Sequence, residues 1–207
     1  MKKAIKALAV VGAVLSARLL PLSPIVGSSH LFFSWSTICA PVVAFQCGLS
    51  WAVSFVLCKK LFLAPSMMIL VHKMPLLFAA RAFQKREIWL SVFLPTVCMV
   101  AFVIHPVGAQ AWPYALYWVL PIFCLWLQDT PWTRALQASF IAHAVGSVIW
   151  LYFGNLSAQV WLSLIAIVWI ERLIIAMGIV ICNEICTSVI VWVSYRKNLL
   201  FKHKAIT

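Results

Sequence analysis

The sequence predicts an all-α protein, a polytopic membrane bundle of about six transmembrane helices with its N- and C-termini in the cytoplasm. The chain has 207 residues, of which 65% are hydrophobic and only 10% charged. Soluble domains are about one-half apolar and one-quarter charged. Long apolar stretches recur from end to end, which indicates spanning helices rather than the short alternating strands of an outer-membrane barrel. We therefore expect residues 1–207 to form a single integral membrane domain.

The clear candidates for spanning helices are the apolar stretches 4–20, 88–106, 111–127, 135–153 and 159–194. The stretch 4–20 has the basic start of a signal peptide, but Leu15 stands where a cleavage site needs a small residue. We therefore interpret it as a retained first helix. The longer stretch 31–57 contains Pro41 and Gly48 and is expected to supply one further span with a bent or looped entry.

The segment 58–86 is apolar but also strongly basic, with Lys59, Lys60, Lys73, Arg81, Lys85 and Arg86. If it spanned the membrane, basic residues would lie on both sides, against the positive-inside rule. If it lies on the cytoplasmic surface as interfacial or re-entrant helices, all 16 basic residues except Arg18 and Arg172 lie inside, including those of a cytoplasmic tail at 196–207. The charge distribution favours the second arrangement, and seven spans remain an alternative. The net charge of +12 then reflects orientation in the cell membrane rather than nucleic-acid binding.

The first predicted helix has one nearly smooth side. Ala9, Ala13 and Ala17 recur every four residues and so share a helix face. In lipid, small residues let another helix approach closely. This face is either a docking surface for a partner protein or an internal packing face.

A polar stripe runs along the predicted span 135–153. Ser139, His143, Gly146, Ser147 and Trp150 lie on one helix face. Polar groups within membranes usually face the bundle interior or a wet cavity, so we expect this stripe to point inward. His143 is either a hydrogen-bonded structural residue or, together with Trp150, part of a ligand site.

The last predicted span holds two of the four acidic residues, Glu171 and Glu184. Glu171 lies about 18 Å into the helix, near mid-depth, where an unpaired charge costs several kcal/mol. Adjacent side chains diverge by about 100° on a helix, so we expect Glu171 and Arg172 to serve different neighbours and not to pair. At least one of them should point toward the polar stripe. Asn183 and Glu184 lie nearer the cytoplasm, at an interface or against a partner.

No motif predicts a catalytic residue, a metal site or a cofactor. The seven cysteines form no CxxC pair, and Cys182 and Cys186 are interpreted as small core residues. The sequence contains no Gly-rich Lys loop for ATP and no hydrolase motif. The tryptophans of the predicted extracellular half are either interface anchors or walls of a cavity for a flat heterocycle, with loop 21–30 as a cover: Trp35, Trp112, Trp118, Trp150 and Trp161.

The small size, the six predicted helices, the face formed by Ala9, Ala13 and Ala17 and the aromatic outer half together resemble the substrate-binding S components of energy-coupling factor (ECF) transporters. The resemblance implies that this alanine face docks onto a membrane coupling protein and that two cytoplasmic ATPases drive the assembly. It also implies that the chain binds a vitamin or related micronutrient for uptake. Depth and helix face alone, not the resemblance, nominate the substrate-binding candidates, which are Glu171, Arg172, His143, Trp150 and Asn183.

Three other functions remain as alternatives. The first is a membrane enzyme acting on a lipid or lipid-linked substrate, with His143 and Glu171 as an acid–base pair. The second is a membrane assembly factor that binds its partners through the alanine face and the basic segment 58–86. The third is another kind of permease.

Overall fold

A computed structural model describes residues 21–24, 32–34, 36–57 and 67–204. Nearly all of these residues are helical, as predicted. The exception is one short antiparallel hairpin, β1 (Pro21–Pro24) paired with β2 (Phe32–Ser34). The predicted helix 4–20, with Ala9, Ala13 and Ala17, lies outside the described residues, as do Trp35 and most of the loop 21–30.

The predicted bend in the stretch 31–57 is confirmed. Helix α1 (Ser36–Cys47) contains Pro41, and helix α2 (Leu49–Leu57) follows it directly. Gly48 separates the two helices with a φ of 105°. Residues that carry a side chain rarely adopt this left-handed backbone conformation, so glycine is the residue that permits the break.

The other helices are α3 (Met67–Gln84), α4 (Leu94–Ile104), α5 (Pro106–Gln110), α6 (Leu120–Phe123), α7 (Pro131–Phe153) and α8 (Ala158–Lys204). A π-helical turn, Trp89–Phe93, leads into α4, and two 3-10 segments, Trp112–Val119 and Cys124–Trp126, flank α6. Prolines set several of these boundaries, because proline cannot donate to the preceding turn and pushes the residue before it toward extended backbone. His105, just before Pro106, is extended and ends α4.

Helix α7 begins four residues before the predicted span because a strong N-terminal cap precedes it. The hydroxyl of Thr130 accepts from the backbone N–H of Thr133 at 3.2 Å. The hydroxyl of Thr133 in turn accepts from the N–H of Thr130 at 3.0 Å. Pro131 occupies the first helical position, where its missing N–H costs nothing.

Within the described residues, two helices are long and apolar enough to cross a membrane. They are Pro131–Phe153, with 23 residues, and the 39-residue part Ala158–Arg196 of helix α8. The predicted spans 88–106 and 111–127 correspond to shorter apolar helices, Trp89–Ile104 and Trp112–Trp126, because prolines and 3-10 turns interrupt or shorten them. The helical class is thus confirmed, whereas the six-span bundle stays a prediction.

Helix α3 packs alongside both α1 and α7. It runs antiparallel to α7, because the guanidinium of Arg134 donates to the carbonyl of Gln84 at 3.3 Å and the rings of His72 and Trp150 lie 5.6 Å apart at the other end. Its buried residues include Ala79, Ala80, Ala82 and Phe83. This helix forms most of the described part of the basic segment 58–86, and its position relative to a membrane surface stays a prediction.

Ion pairs gather where α3 ends and α7 begins. The carboxylate of Glu87 accepts from Arg81 and lies 3.4 Å from Lys85. The carboxylate of Asp129 lies 2.6 Å from Arg134. Hydrogen bonds from Arg81 and from Arg134 hold the pKa values of these two carboxyl groups below their ordinary values. We call this region the basic end of the bundle.

Candidate functional site

The polar stripe of helix α7 points into the protein, as predicted. Ser139, His143 and Ser147 are buried, since their spacing of four residues places them on the face that packs against the neighbouring segments. Gly146 is half-buried and lies near Pro75 of helix α3. The stripe is therefore an interior surface, and its role toward a ligand stays a prediction.

Hydrogen bonds connect this stripe to two neighbouring elements. The hydroxyl of Tyr114, on the 3-10 segment Trp112–Val119, lies 3.3 Å from the hydroxyl of Ser147. Ser147 in turn lies 3.5 Å from Nδ1 of His143. One turn earlier, Ser139 donates to the carbonyl of Arg172 in helix α8 at 2.9 Å. Polar groups thus run from the 3-10 segment across α7 to α8.

An aromatic cluster surrounds the end of this row of polar groups that contains Tyr114 and His143. Its members are Phe102, Tyr114, Trp118, His143 and Trp161, and all of them are more than nine-tenths buried. The Tyr114 ring touches the other four, with centroid distances of 5.0 Å to Trp161, 5.3 Å to His143, 5.6 Å to Phe102 and 6.2 Å to Trp118. Most of these pairs are edge-to-face or tilted, and each contributes about 0.5–1.5 kcal/mol beyond burial.

Three ring nitrogens of the aromatic cluster have no hydrogen-bond partner among the described residues. They are Nε1 of Trp118, Nε1 of Trp161 and Nε2 of His143. Buried polar groups are usually paired, and each unpaired one costs about 1–3 kcal/mol. Three such costs within one contiguous cluster distinguish this region from an ordinary apolar core and make it the candidate site.

The prediction that Glu171 and Arg172 do not pair was wrong. The Nη2 atom of Arg172 donates to Oε2 of Glu171 at 2.8 Å. The long arginine side chain spans the divergence between adjacent helix positions, which the estimate from backbone angles alone ignored. Arg172 is only 3% exposed and Glu171 20%. The expectation that one of them faces the polar stripe is confirmed at the backbone, where Ser139 binds the Arg172 carbonyl.

Two other predicted site residues lie away from the aromatic cluster. Asn183 follows Arg172 by about 16 Å along the helix, and its Oδ1 accepts from Gln46 of helix α1 at 2.9 Å. Trp150 is half-buried at the margin of the core that contains the cluster, and its ring contacts His72. Asn183 therefore belongs to the joint between α1 and α8. Its role toward a substrate, like that of Trp150, stays a prediction.

Sequence reasoning missed Phe102 and Tyr114, although Tyr114 contacts all four other members of the cluster and Phe102 contacts three of them. Trp118 and Trp161 were predicted as either interface anchors or cavity walls, and both lie in the cluster. Trp112, predicted with them, is exposed. The spacing of four between Tyr114 and Trp118 was a usable signal, but the 3-10 segment that carries them could not be recognised from the apolar pattern.

The cysteines form neither a disulfide nor a metal site in the part of the chain that the structure describes. Six of the seven are described, and all are free thiols. Cys182 and Cys186 are half-buried against the apolar core, in agreement with their interpretation as small core residues. No group of three or more His, Cys, Asp or Glu side chains in the described ranges could hold a metal ion.

No protein-family model matches this sequence, and no curated protein or solved structure matches it. The function is therefore argued from the chemistry of the site itself.

Proposed function

We propose that this chain is a membrane-embedded binding subunit that holds a small micronutrient, a vitamin or related heterocycle, during uptake. One observation carries the proposal. The aromatic cluster contains three buried ring nitrogens, on Trp118, His143 and Trp161, that have no partner among the residues that the structure describes. A small number of polar groups among aromatic rings is the usual composition of a small-molecule site.

The membrane placement has two supports. Helices α7 and α8 have the length and apolar character of spans. Large apolar side chains are also exposed along one side of α8, at Ile167, Ile170, Leu173, Ile174, Met177, Ile181 and Ile185. In water such a surface would be an aggregation hazard, whereas lipid covers it at no cost. We propose a multi-pass arrangement of about six spans with both termini cytoplasmic.

The orientation follows from charge. Arg81, Lys85, Arg86 and Arg134 lie together at the basic end, which the positive-inside rule places toward the cytoplasm. Trp161 lies close to the start of helix α8, and α8 continues past the basic end to Lys204. The aromatic cluster thus lies in the half of the bundle that faces the outside, on the side from which a nutrient arrives.

Access to the site requires one ring to move. The rings of the aromatic cluster lie at contact distance, and Tyr114 touches all four others. Tyr114 is carried by a 3-10 segment, which has weaker hydrogen-bond geometry than an α-helix and often marks a hinge. Its hydroxyl is held by one long contact of 3.3 Å to Ser147. Displacement of Tyr114 is therefore the proposed opening step.

The energy for uptake comes from partners in this proposal. The chain has no P-loop motif of its own, and the resemblance to ECF S components supplies a membrane coupling protein and two cytoplasmic ATPases. The docking face would be formed by Ala9, Ala13 and Ala17. The enzyme alternative has less support, because Glu171 pairs with Arg172 and not with His143.

The binding proposal is tested by identifying what the protein carries. The full chain is purified in mild detergent, denatured, and the released small molecules are measured by mass spectrometry. We expect one heterocyclic compound in near-stoichiometric amount from the wild type and much less from Trp118→Ala. Trp126→Ala, an exposed control, should release as much as the wild type. Equal release from all three proteins, or none from any, would contradict the proposal.

The partner proposal is tested separately by co-purification from native membranes. Replacement of Ala13 by a bulky residue, Ala13→Phe, should abolish recovery of two ATPases, because a large ring prevents close helix approach. Leu15, which lies on the opposite face of the predicted helix, supplies the matched control Leu15→Phe. Recovery of the ATPases with Ala13→Phe, or their absence from the wild type, would contradict the docking role.

A further inference from the structure

We infer that the ligand of the aromatic cluster is an uncharged flat ring that carries at least two hydrogen-bond acceptors. This inference rests on the proposed binding function and adds the chemical class of the ligand. It follows from three properties of the described side chains: the ring faces, the donors without partners and the local balance of charge.

The ring faces require a flat ligand. Four aromatic side chains, Phe102, Tyr114, Trp118 and Trp161, contact one another at centroid distances between 5.0 and 6.2 Å. Displacement of one ring exposes the faces and edges of the others. Aromatic pairs prefer offset or edge-to-face geometry, so a flat ring replaces the lost contacts better than an aliphatic chain.

The unpaired nitrogens require acceptors on the ligand. An indole Nε1–H is a donor and never an acceptor. The indoles of Trp118 and Trp161 are both buried, and neither has a partner within the described ranges. The Nδ1 atom of His143 faces Ser147, so its Nε2 atom is left as the third polar group. A carbonyl oxygen or an unprotonated ring nitrogen can accept from an indole, whereas a ligand with only donors leaves both indoles unpaired.

The local charges favour a neutral ligand. Arg172 is buried and already forms an ion pair with Glu171, so this part of the site has no net charge. A charged ligand loses its hydration in a membrane interior. Among the described residues of helix α8 near the cluster, the two charges that could offset this loss, Glu171 and Arg172, are already paired with each other.

Three probes of the same ring size separate these classes. They are nicotinamide, which is neutral and carries acceptors, nicotinate, which is an anion, and 1-methylnicotinamide, which is a cation. Binding to the ligand-depleted full chain in lipid nanodiscs is measured by equilibrium dialysis. We expect nicotinamide to bind at least about tenfold more tightly than either charged probe. Equal affinities, or tightest binding of a charged probe, would overturn the inference.

The donors are tested by removing each indole N–H while keeping an aromatic ring. Trp118→Phe and Trp161→Phe should each weaken nicotinamide binding about fivefold, the value of one ordinary hydrogen bond. Trp126→Phe, at an exposed position, should bind like the wild type. Unchanged affinity in both cluster variants would show that the indoles do not read acceptors and would overturn the inference.

The outcomes also separate this inference from the proposed function. If the wild-type protein releases a charged heterocycle on denaturation, the ligand class is wrong while the binding function stands. If the protein releases nothing and none of the three probes binds, the binding function and the ligand class fail together.

Discussion

The aromatic cluster and the basic end of the bundle differ in whether their polar groups have hydrogen-bond partners. At the basic end, Glu87 and Asp129 each accept from a neighbouring arginine. In the aromatic cluster, ring nitrogens of Trp118, His143 and Trp161 are buried and find no partner in the described part of the chain. Paired polar groups stabilise the fold, whereas unpaired ones cost stability and persist where function requires them. The difference supports the proposal that the cluster is the place where this chain meets a ligand.

Other buried polar groups follow the pattern of the basic end. The side-chain amide of Gln137 donates to Ser91 at 2.6 Å and to the carbonyl of Pro121 at 3.1 Å. Asn183 accepts from Gln46 at 2.9 Å. These contacts join helix α7 to the π-helical turn before α4 and to helix α6, and helix α1 to helix α8. We expect these contacts to hold the helices together, so that their loss affects stability more than binding.

The largest loss of stability is expected from Gly108→Ala, because this substitution displaces the backbone of Phe102, a member of the cluster. A Cβ atom at this position would lie 1.8 Å from the carbonyl oxygen of Phe102, a backbone atom that cannot move away independently. We expect a loss of about 3 kcal/mol or more in unfolding free energy together with loss of binding. Thermal unfolding in detergent measures the first and ligand release the second. Gly146→Ala, where the added Cβ makes only ordinary contact with Pro75, is the control, and equal stability of the two variants would contradict this account.

Gln137→Leu should cost about 2 kcal/mol, because it leaves the carbonyl of Pro121 buried without its donor. Ligand affinity should change little in the fraction that folds, since Gln137 lies outside the cluster. Thermal unfolding and nicotinamide dialysis on the same preparation separate the two effects. A Gln137→Leu variant that is as stable as the wild type but binds nicotinamide more weakly would contradict the assignment of Gln137 to stability rather than to binding.

Asn183→Leu should cost about 1 kcal/mol, the net value of an ordinary hydrogen bond, because it removes the acceptor that Gln46 uses. Gln46 also donates to Thr187 at 2.9 Å, which limits the loss. The shift in the unfolding midpoint measures it. Strong loss of ligand binding without loss of stability would instead restore Asn183 as a substrate residue.

The smallest change in stability is expected when the pH is lowered. The pKa values of Glu87 and Asp129 are lower in the folded chain than their ordinary values, so unfolding takes up protons at low pH. Stability should be constant near neutrality and fall as the pH drops below about 5, by less than about 1 kcal/mol because these pairs lie near the surface. The change is measured as the unfolding midpoint against pH. Glu87→Gln should flatten the profile, and an unchanged acid response in this variant would contradict the assignment.

The sequence predicts the helical class and the inward polar stripe because both depend on periodicity. Ser139, His143 and Ser147 are four residues apart and therefore share a face of any helix that contains them. Pro41 and Gly48 likewise predict a bend from residue type alone. Tyr114 and Phe102 were not predicted, because their contact depends on how a 3-10 segment packs against α4. The ion pair of Glu171 and Arg172 was not predicted, because it depends on side-chain reach rather than on helix angle.

The central claim is that the unpaired nitrogens of the cluster serve a ligand and not the fold, and His143→Leu tests it most directly. Leucine removes the unpaired Nε2 and keeps an apolar side chain of similar size. The account predicts an unfolding midpoint in the absence of ligand that is equal to or above that of the wild type, together with loss of the small molecule released on denaturation. A variant that unfolds at a clearly lower temperature, yet releases as much ligand as the wild type, would contradict the claim.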